Sequence, residues 1–448
     1  MTRAGNSVLK VAYYGDDFTG ATDTLATAAL AGLRALLFLG LPTAAQLERA
    51  GPLDCLGIAG AARAMTPAEM QTELEPVGQL FASLGAPVIH YKTCSTFDSA
   101  PHIGSIGAAI RVLQPHAANP LVAIVGGQPN LRRYCVFGNL FAGAGSSSGI
   151  SRIDRHPTMS RHPVTPMHEA DLRLHLAGQG LAAVLSLDYT GYDQPAAALD
   201  AALDAQLAQA PDAVLFDVGH ASHLAQVGRL LWTHAQRQPL LAAGPSSVVQ
   251  ALAAHWATQA APGDTSEAQM PSLAPAPIAP AQGPVLVLAG SLSPMTARQM
   301  KAATSYQPLL LDARQLAGDA AYRTQMAAQI AGLLGEGRHV LAATSGDSAA
   351  PDQQADGRAL AIACGDLLAQ VLALQPLKRL GIAGGDTSSH SVQALDAWGL
   401  SYQAQLAPGV ALCRLHSDDS ALDGLEIMLK GGQMGSESLF EDLLLGVA

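Results

Sequence analysis

Short apolar runs alternate with longer Ala/Leu-rich stretches along nearly the whole chain, and this alternation limits the architecture more than any other feature. Val8–Tyr14, Arg34–Leu39, Cys55–Ala59, Val88–Thr93, Leu121–Val125, Ala183–Leu187 and Ala213–Val218 read as strands. Gly20–Ala31, Pro67–Leu84 and Pro195–Ala210 read as helices between them, with Gly32 suited to end the first in a left-handed conformation. Near-continuous apolar strands separated by helices predict a parallel sheet covered on both faces. The rhythm stops at "TQAAPGDTSEAQMPSLAPAPIAPAQGP", residues 258–284, where Pro, Ala and Ser dominate. It restarts with strands at Val285–Ala289, Leu309–Asp312, His339–Ala343 and Leu380–Ala383. A chain of 448 residues exceeds one ordinary core. The expected fold is α/β in two domains, each a mainly parallel sheet flanked by helices. The domains are residues 1–257 and 285–448, joined by a Pro/Ala-rich linker or loop at 258–284.

Charge and composition narrow the function classes. A net charge of −11 and a pI near 5.6 argue against nucleic acid or an anionic membrane as partner. No apolar run reaches the length of a membrane span, and Met1-Thr2-Arg3 is not followed by a signal-peptide core, so a cytoplasmic enzyme is expected. Cys55, Cys94, Cys135, Cys364 and Cys413 form no CxxC pair, which points away from a disulfide framework or a zinc site. Association into a homo-oligomer stays open.

In open α/β sheets ligands bind at the carboxyl ends of strands, so the strand-end loops are where chemistry is sought. "YYGDDFTGATD" follows the first strand and sets Asp16 beside Asp17. "YKTCSTFDSAP" follows another with Lys92, Ser95, Thr96, Asp98 and Ser99: a cation, hydroxyls and a carboxylate that suit a small anionic polyhydroxy ligand, or else a solvated, capped turn. In "RIDRHPTMSRHPVTPMH", Arg152, Arg155 and Arg161 alternate with His156, His162 and His168. Local positive charge in an acidic protein suggests capture of a carboxylate or phosphate. Metal binding by these histidines is the weaker alternative, since His156-Pro157 and His162-Pro163 favour extended backbone; some of them would hold the loop by hydrogen bonds. Thr165-Pro166 reads as the start of a helix leading into Glu169–Leu176.

The second half carries glycine-rich strand ends. Gly290-Ser291-Leu292-Ser293, Ser345-Gly346-Asp347-Ser348 and Gly384-Gly385-Asp386-Thr387-Ser388 each close a strand, and "LKGGQMGSES" adds Gly431, Gly432 and Gly435. Glycines let backbone N–H groups approach phosphate oxygens, and helix N-termini add favourable partial charge. Several such turns in one small domain point to a nucleotide, without a Walker loop. Gly143–Gly149, "GAGSSSG", follows no expected strand and reads as a flexible loop.

Taken together, DDFTGATD, YKTCSTFDS, RHPVTPM, GSLSPMT, GGDTSS and KGGQMG resemble, in order and over nearly the whole chain, the blocks of the four-carbon acid sugar kinase family. The resemblance implies an N-terminal sugar-acid-binding domain and a C-terminal ATP-binding domain. It implies phosphorylation of the terminal hydroxyl of a threonate, erythronate or 3-oxotetronate. ATP would contact Ser291 or Ser293, Gly384 through Thr387, and Gly432 or Gly435, with Ser345 and Gly346 as further candidates. The sugar acid would contact Asp16, Asp17, Lys92, Ser95, Thr96, Asp98 and the Arg152, Arg155, Arg161 and His162 loop. Asp17 or Asp16 would accept the proton of the attacking hydroxyl, the alternative being that both cap the helix start near Thr19-Gly20. Lys92 and the arginines would supply positive field, and Mg²⁺ would arrive with ATP, with Asp386 its candidate carboxylate and Asp347 the reserve. Two departures stand out: Met434 replaces an aromatic residue of the family's last block, and GQPNLRRYCVFGNLFA does not look like the 3-oxotetronate enzymes. The rival readings are a non-catalytic sugar-acid sensor and a metal-dependent hydrolase or aldolase.

Overall fold

The computed structural model describes residues 9–143, 149–162, 164–259, 277–290, 293–345 and 353–447. These form two units that are not contiguous in sequence. The first holds the described residues through Asp16, Thr27–Leu36 and those from Thr43 to 259. The second holds Asp17–Ala26, Leu37–Pro42 and those from 277 onward, so the unit boundary falls between the paired aspartates.

The strands in chain order are β1 (Val11–Gly15), β2 (Ala35–Phe38), β3 (Cys55–Ala59), β4 (Val88–Lys92), β5 (Val122–Gln128), β6 (Arg133–Val136), β7 (Asn139–Gly143), β8 (Ile150–Arg152) and β9 (Val184–Leu187). They continue with β10 (Ala213–Asp217), β11 (Leu240–Gly244), β12 (Val285–Ala289), β13 (Gln307–Asp312), β14 (Val340–Ser345) and β15 (Arg379–Ala383). The last are β16 (Gly399–Ala407), β17 (Val410–His416) and β18 (Glu426–Lys430).

In the first unit the order is β3-β1-β4-β11-β5-β10-β9, every pairing parallel. All residues of β1, β3, β4, β10 and β11 are buried, as the apolar runs predict for a sheet covered on both faces. An antiparallel meander, β6-β7-β8, grows from the carboxyl end of β5. Helix starts are written locally: Thr66 caps Pro67–Ser83 through a capping box with Glu69, with proline in the first turn.

The second unit orders its strands β13-β14-β12-β15-β18-β17-β16, parallel through β18 and antiparallel beyond. Leu37 and Phe38 of β2 close its edge against Leu400 and Gly399 of β16. Val285, Val287, Leu412, Met428, Phe440 and Leu443 pack in its core.

Three expectations change. The helix expected at Glu169–Leu176 is Leu172–Ala177, capped by Asp171 and not by Thr165. Glu169 Oε1 takes the amides of Ala170 and Asp171 at 2.8 and 2.9 Å, and the Ala170 carbonyl accepts from Leu140 N at 2.9 Å, which holds this segment out of a helix. Gly143 ends β7, so the glycine-rich segment does follow a strand, although 144–148 lie outside the described residues. Finally, one described helix, Gln353–Leu374, contains an 18-residue stretch apolar enough by composition to cross a membrane. Its Cys364, Leu367, Leu368 and Val371 are buried, and its Asp366 stands 3.9 Å from Arg323, as in a helix covering a sheet.

Candidate functional site

The first unit gathers its polar residues at the carboxyl ends of β1 and β4, where register places Gly15 opposite Lys92. Asp16 N donates to the Lys92 carbonyl at 3.0 Å. The Asp16 carboxylate is gripped by Arg63, whose Nη2 and Nε donate at 2.8 and 3.1 Å, and Arg63 N donates to the Asp16 carbonyl at 3.0 Å. Such a bidentate grip orients a carboxylate firmly. Arg63 was not among the expected residues; its only sequence signal is its position just after a strand end. Lys92 is buried and its Nζ donates to the Thr93 carbonyl at 2.7 Å.

The loop after β4 is internally bonded. Thr96 Oγ1 donates to Asp98 Oδ1 at 2.5 Å and lies 2.9 Å from Cys94 Sγ, and Ser99 Oγ donates to the Phe97 carbonyl at 2.9 Å. Phe97 is buried with a φ of 54°, a left-handed conformation that costs a non-glycine residue about 1–2 kcal/mol. Thr96 and Asp98 are buried, and Ser95 is half-buried.

The arginines of the third loop do not converge. Arg152 pairs with Asp154 at 2.7 and 2.6 Å, while Arg155 and Arg161 are exposed. Two histidines hold the loop together: His156 Nδ1 accepts the amides of Thr158 and Met159 at 3.2 Å, and His162 Nδ1 accepts that of Thr165 at 3.1 Å. Burial lowers the pKa of His156, which favours its neutral form. Among the described residues no three His, Cys, Asp or Glu side chains are grouped as metal ligands.

In the second unit β12, β15 and β18 are neighbours, so their carboxyl-end loops meet at one edge. After β15, Gly384 has a φ of 130°, open only to glycine, and the helix Gly385–Gln393 begins without a side-chain cap. Its first N–H groups are thus left for a ligand or water. A Cβ on Gly290 would stand 2.1 Å from Thr387 Oγ1, so only glycine lets that helix pack against the end of β12. Asp386 is exposed in the first turn. Ser345 closes β14; its side chain, Ser291 and Gly346 lie outside the described residues.

Asp17 belongs to this unit. Its Oδ1 accepts Gly20 N at 2.7 Å and its Oδ2 accepts Thr19 Oγ1 at 2.8 Å, so it caps the helix Phe18–Leu30. The same Oδ2 lies 3.8 Å from where a Cβ on Gly385 would stand, and Thr19 Oγ1 lies 4.0 Å from the corresponding point on Gly431. One carboxylate therefore caps a helix and faces the uncapped helix start of the second unit.

The loop after β18 is tied down by a residue absent from the expected set. Lys430 is fully buried, and its Nζ donates to Gln299 Oε1 at 2.7 Å, Thr296 Oγ1 at 2.9 Å and the Gly432 carbonyl at 3.2 Å. With no carboxylate among these partners, burial pushes its pKa down to about 7. Gln299 Nε2 holds the carbonyls of Met434 and Ser436 at 3.0 and 2.8 Å. Ser293 caps the helix Pro294–Ala302 and its hydroxyl donates to the Gly432 carbonyl. Gly435, at φ 86°, sits where a Cβ would meet Leu439 at 2.6 Å.

Residues 11–252 match a family model described as a sugar-binding N-terminal domain, and residues 286–440 match a nucleotide-binding C-terminal domain. A 3-oxo-isoapionate kinase of Paraburkholderia graminis is 40% identical, the match covering 96% of this chain and 93% of that protein. A 3-oxo-tetronate kinase of Brucella melitensis biotype 1 is 28% identical over 96% of this chain and 94% of its own. In fold, the chain matches a solved Salmonella typhimurium LT2 structure described as a tRNA synthase, with a TM-score of 0.76 at 24% identity, covering 96% of this chain and 98% of that one. A Haemophilus influenzae protein of the DUF1537 family matches at a TM-score of 0.67 and 23% identity, with 96% and 98% covered.

Proposed function

This chain belongs to the four-carbon acid sugar kinase family, and from that membership we propose that it transfers the γ-phosphoryl group of ATP to a hydroxyl of a 3-oxo sugar acid. Relatives named for 3-oxo-isoapionate and 3-oxo-tetronate favour the 3-oxo class over plain threonate or erythronate. The observation that carries the reading is Asp17, a carboxylate facing an uncapped helix N-terminus among glycine-rich loops.

In this reading the phosphates lie on the N–H groups of Gly385–Thr387 and on the Gly431–Gly435 loop, where backbone can approach closely. The acceptor hydroxyl attacks the γ-phosphorus in line. Its O–H proton passes to Asp17, the new O–P bond forms, and the bond to the β-phosphate oxygen breaks to release ADP. Asp16, oriented by Arg63, and Lys92 serve the acid in the first unit. Asp386, exposed in the first turn of its helix, is the carboxylate that would suit a Mg²⁺ held mainly by phosphates and water, a cation that would neutralise charge on the transferring group.

ADP release should depend on added 3-oxo-tetronate or 3-oxo-isoapionate and be weak with threonate or erythronate. A coupled assay in which no member of this panel stimulates ADP release would sink the proposal. Gly384→Ala tests the nucleotide loop. Forcing alanine to φ 130° costs about 1–3 kcal/mol of strain, so the KM for ATP should rise roughly tenfold or more. Wild-type ATP kinetics in that variant would remove Gly384 from the site.

A further inference from the structure

Two buried N–H donors in the first unit lack an acceptor, and both border the Gly143 carbonyl. Arg133, on β6 of the meander, donates through Nη1 to Leu131 O at 2.6 Å and Gly143 O at 3.2 Å, while its buried Nε has no partner. His156 is 4% exposed, and since its Nδ1 accepts two amides, the ring proton sits on Nε2. That Nε2–H is turned to the Gly143 backbone, which opposes the lowering of its pKa by burial, and no acceptor meets it at both hydrogen-bond distance and angle.

Burial lowers the Arg133 pKa, and the neighbours that oppose that shift are Cys94 and Asp98, members of the bonded loop after β4, together with Tyr134. Arg132, the residue before it, is held at φ 59°. Of the four described non-glycine residues with positive φ, Phe97 and Arg132 therefore flank this cluster from two segments. A desolvated guanidinium with an unspent N–H beside a second unspent donor is costly unless something accepts from both. A planar anion can take the fork of an arginine and a neighbouring N–H together.

We propose that Arg133 and His156 form the carboxylate-binding pair for the sugar acid, in place of the exposed Arg155 and Arg161. This assignment rests on the sugar-acid kinase reading. It gives the loop after β4 the substrate's hydroxyl end, with Thr96 and Asp98 as polar neighbours.

The test is calorimetric titration of the intact protein, without ATP, by 3-oxo-tetronate and by its carboxamide, which lacks the charge. Wild type should bind the acid at least about tenfold more tightly than the amide. Arg133→Gln should weaken acid binding roughly tenfold or more, leave amide binding unchanged and so abolish the preference. Arg133→Lys, which keeps a charge but loses the fork, should give an intermediate loss and decides the matter should Arg133→Gln fail to fold. Unaltered preference in a folded Arg133 variant overturns the pair. So does loss of preference in Arg155→Ala or Arg161→Ala alone, or a wild type that binds acid and amide alike. Acid-selective binding that depends on Arg133, without any ADP release, would instead fault the kinase reading and leave the pair standing.

Discussion

Asp17→Asn is expected to lower kcat by about 10²–10⁴-fold, the usual effect of removing a general base, with little change in melting temperature. The small stability effect follows from geometry. Asparagine keeps an oxygen to accept Gly20 N, so the cap on Phe18–Leu30 survives, whereas alanine would lose about 1 kcal/mol with it. Asp16→Asn should behave differently, because Asp16 accepts both arms of Arg63. That substitution leaves a guanidinium partly unpaired and should lower the melting temperature and raise the KM for the acid more than it lowers kcat. Steady-state kinetics and thermal melts on both variants separate the roles. A wild-type kcat in soluble Asp17→Asn would return Asp17 to a purely capping residue.

This asymmetry explains why two carboxylates stand side by side. Adjacent side chains at a strand end point to opposite sides, and here they serve different units: Asp16 with Arg63 and Lys92, Asp17 with its helix start and Gly385. The adjacency was visible in the sequence; the division was not, because nothing local says that residues 17–26 pack with a segment beginning more than two hundred residues later. The same holds for Leu37 and Phe38, which complete the edge beside β16. Parallel strands were legible because burial on both faces forces apolar runs such as Val285–Ala289, found where expected. The hairpin β16-β17 and the meander β6-β8 were not, because partly exposed antiparallel strands such as β16 mix polar and apolar residues without a continuous run. Arg63, Arg133 and Lys430 escaped for another reason. Arg63 is a lone cation whose partner Asp16 is distant in sequence, Arg133 stands out only through its burial, and Lys430 opens the KGGQMG block, where the glycines drew the reading while its own acceptors Thr296 and Gln299 lie far back in the chain.

Lys430 gives the other large expected effect. Its ammonium has three acceptors, on Thr296, Gln299 and the Gly432 carbonyl, and thereby fixes the Gly431–Gly435 loop against the helix Pro294–Ala302. Methionine fills similar volume and removes the cost of burying an ammonium, but it leaves the Thr296, Gln299 and Gly432 acceptors without their donor. Lys430→Met should therefore raise the KM for ATP by about tenfold or more, since the loop loses its ties and the site loses a positive charge, while the two opposed stability effects keep its melting temperature close to that of wild type. A merely structural lysine would give a lower melting temperature with ATP kinetics kept. The pH dependence follows from the same group. The folded protein releases this proton near pH 7, whereas the unfolded chain holds it up to the ordinary lysine value of 10.5. Between those values the unfolded state binds more protons, so this group favours folding increasingly as pH rises; below about 7 both states are protonated and its burial cost is fully present. ATP affinity should move the other way, weakening as the ammonium is lost. The difference in melting temperature between wild type and Lys430→Met, followed from pH 6.5 to 9, should shift in favour of wild type with rising pH. A flat difference, with ATP affinity equally flat across that range, would mean that Lys430 keeps its proton and acts only as a fixed tie.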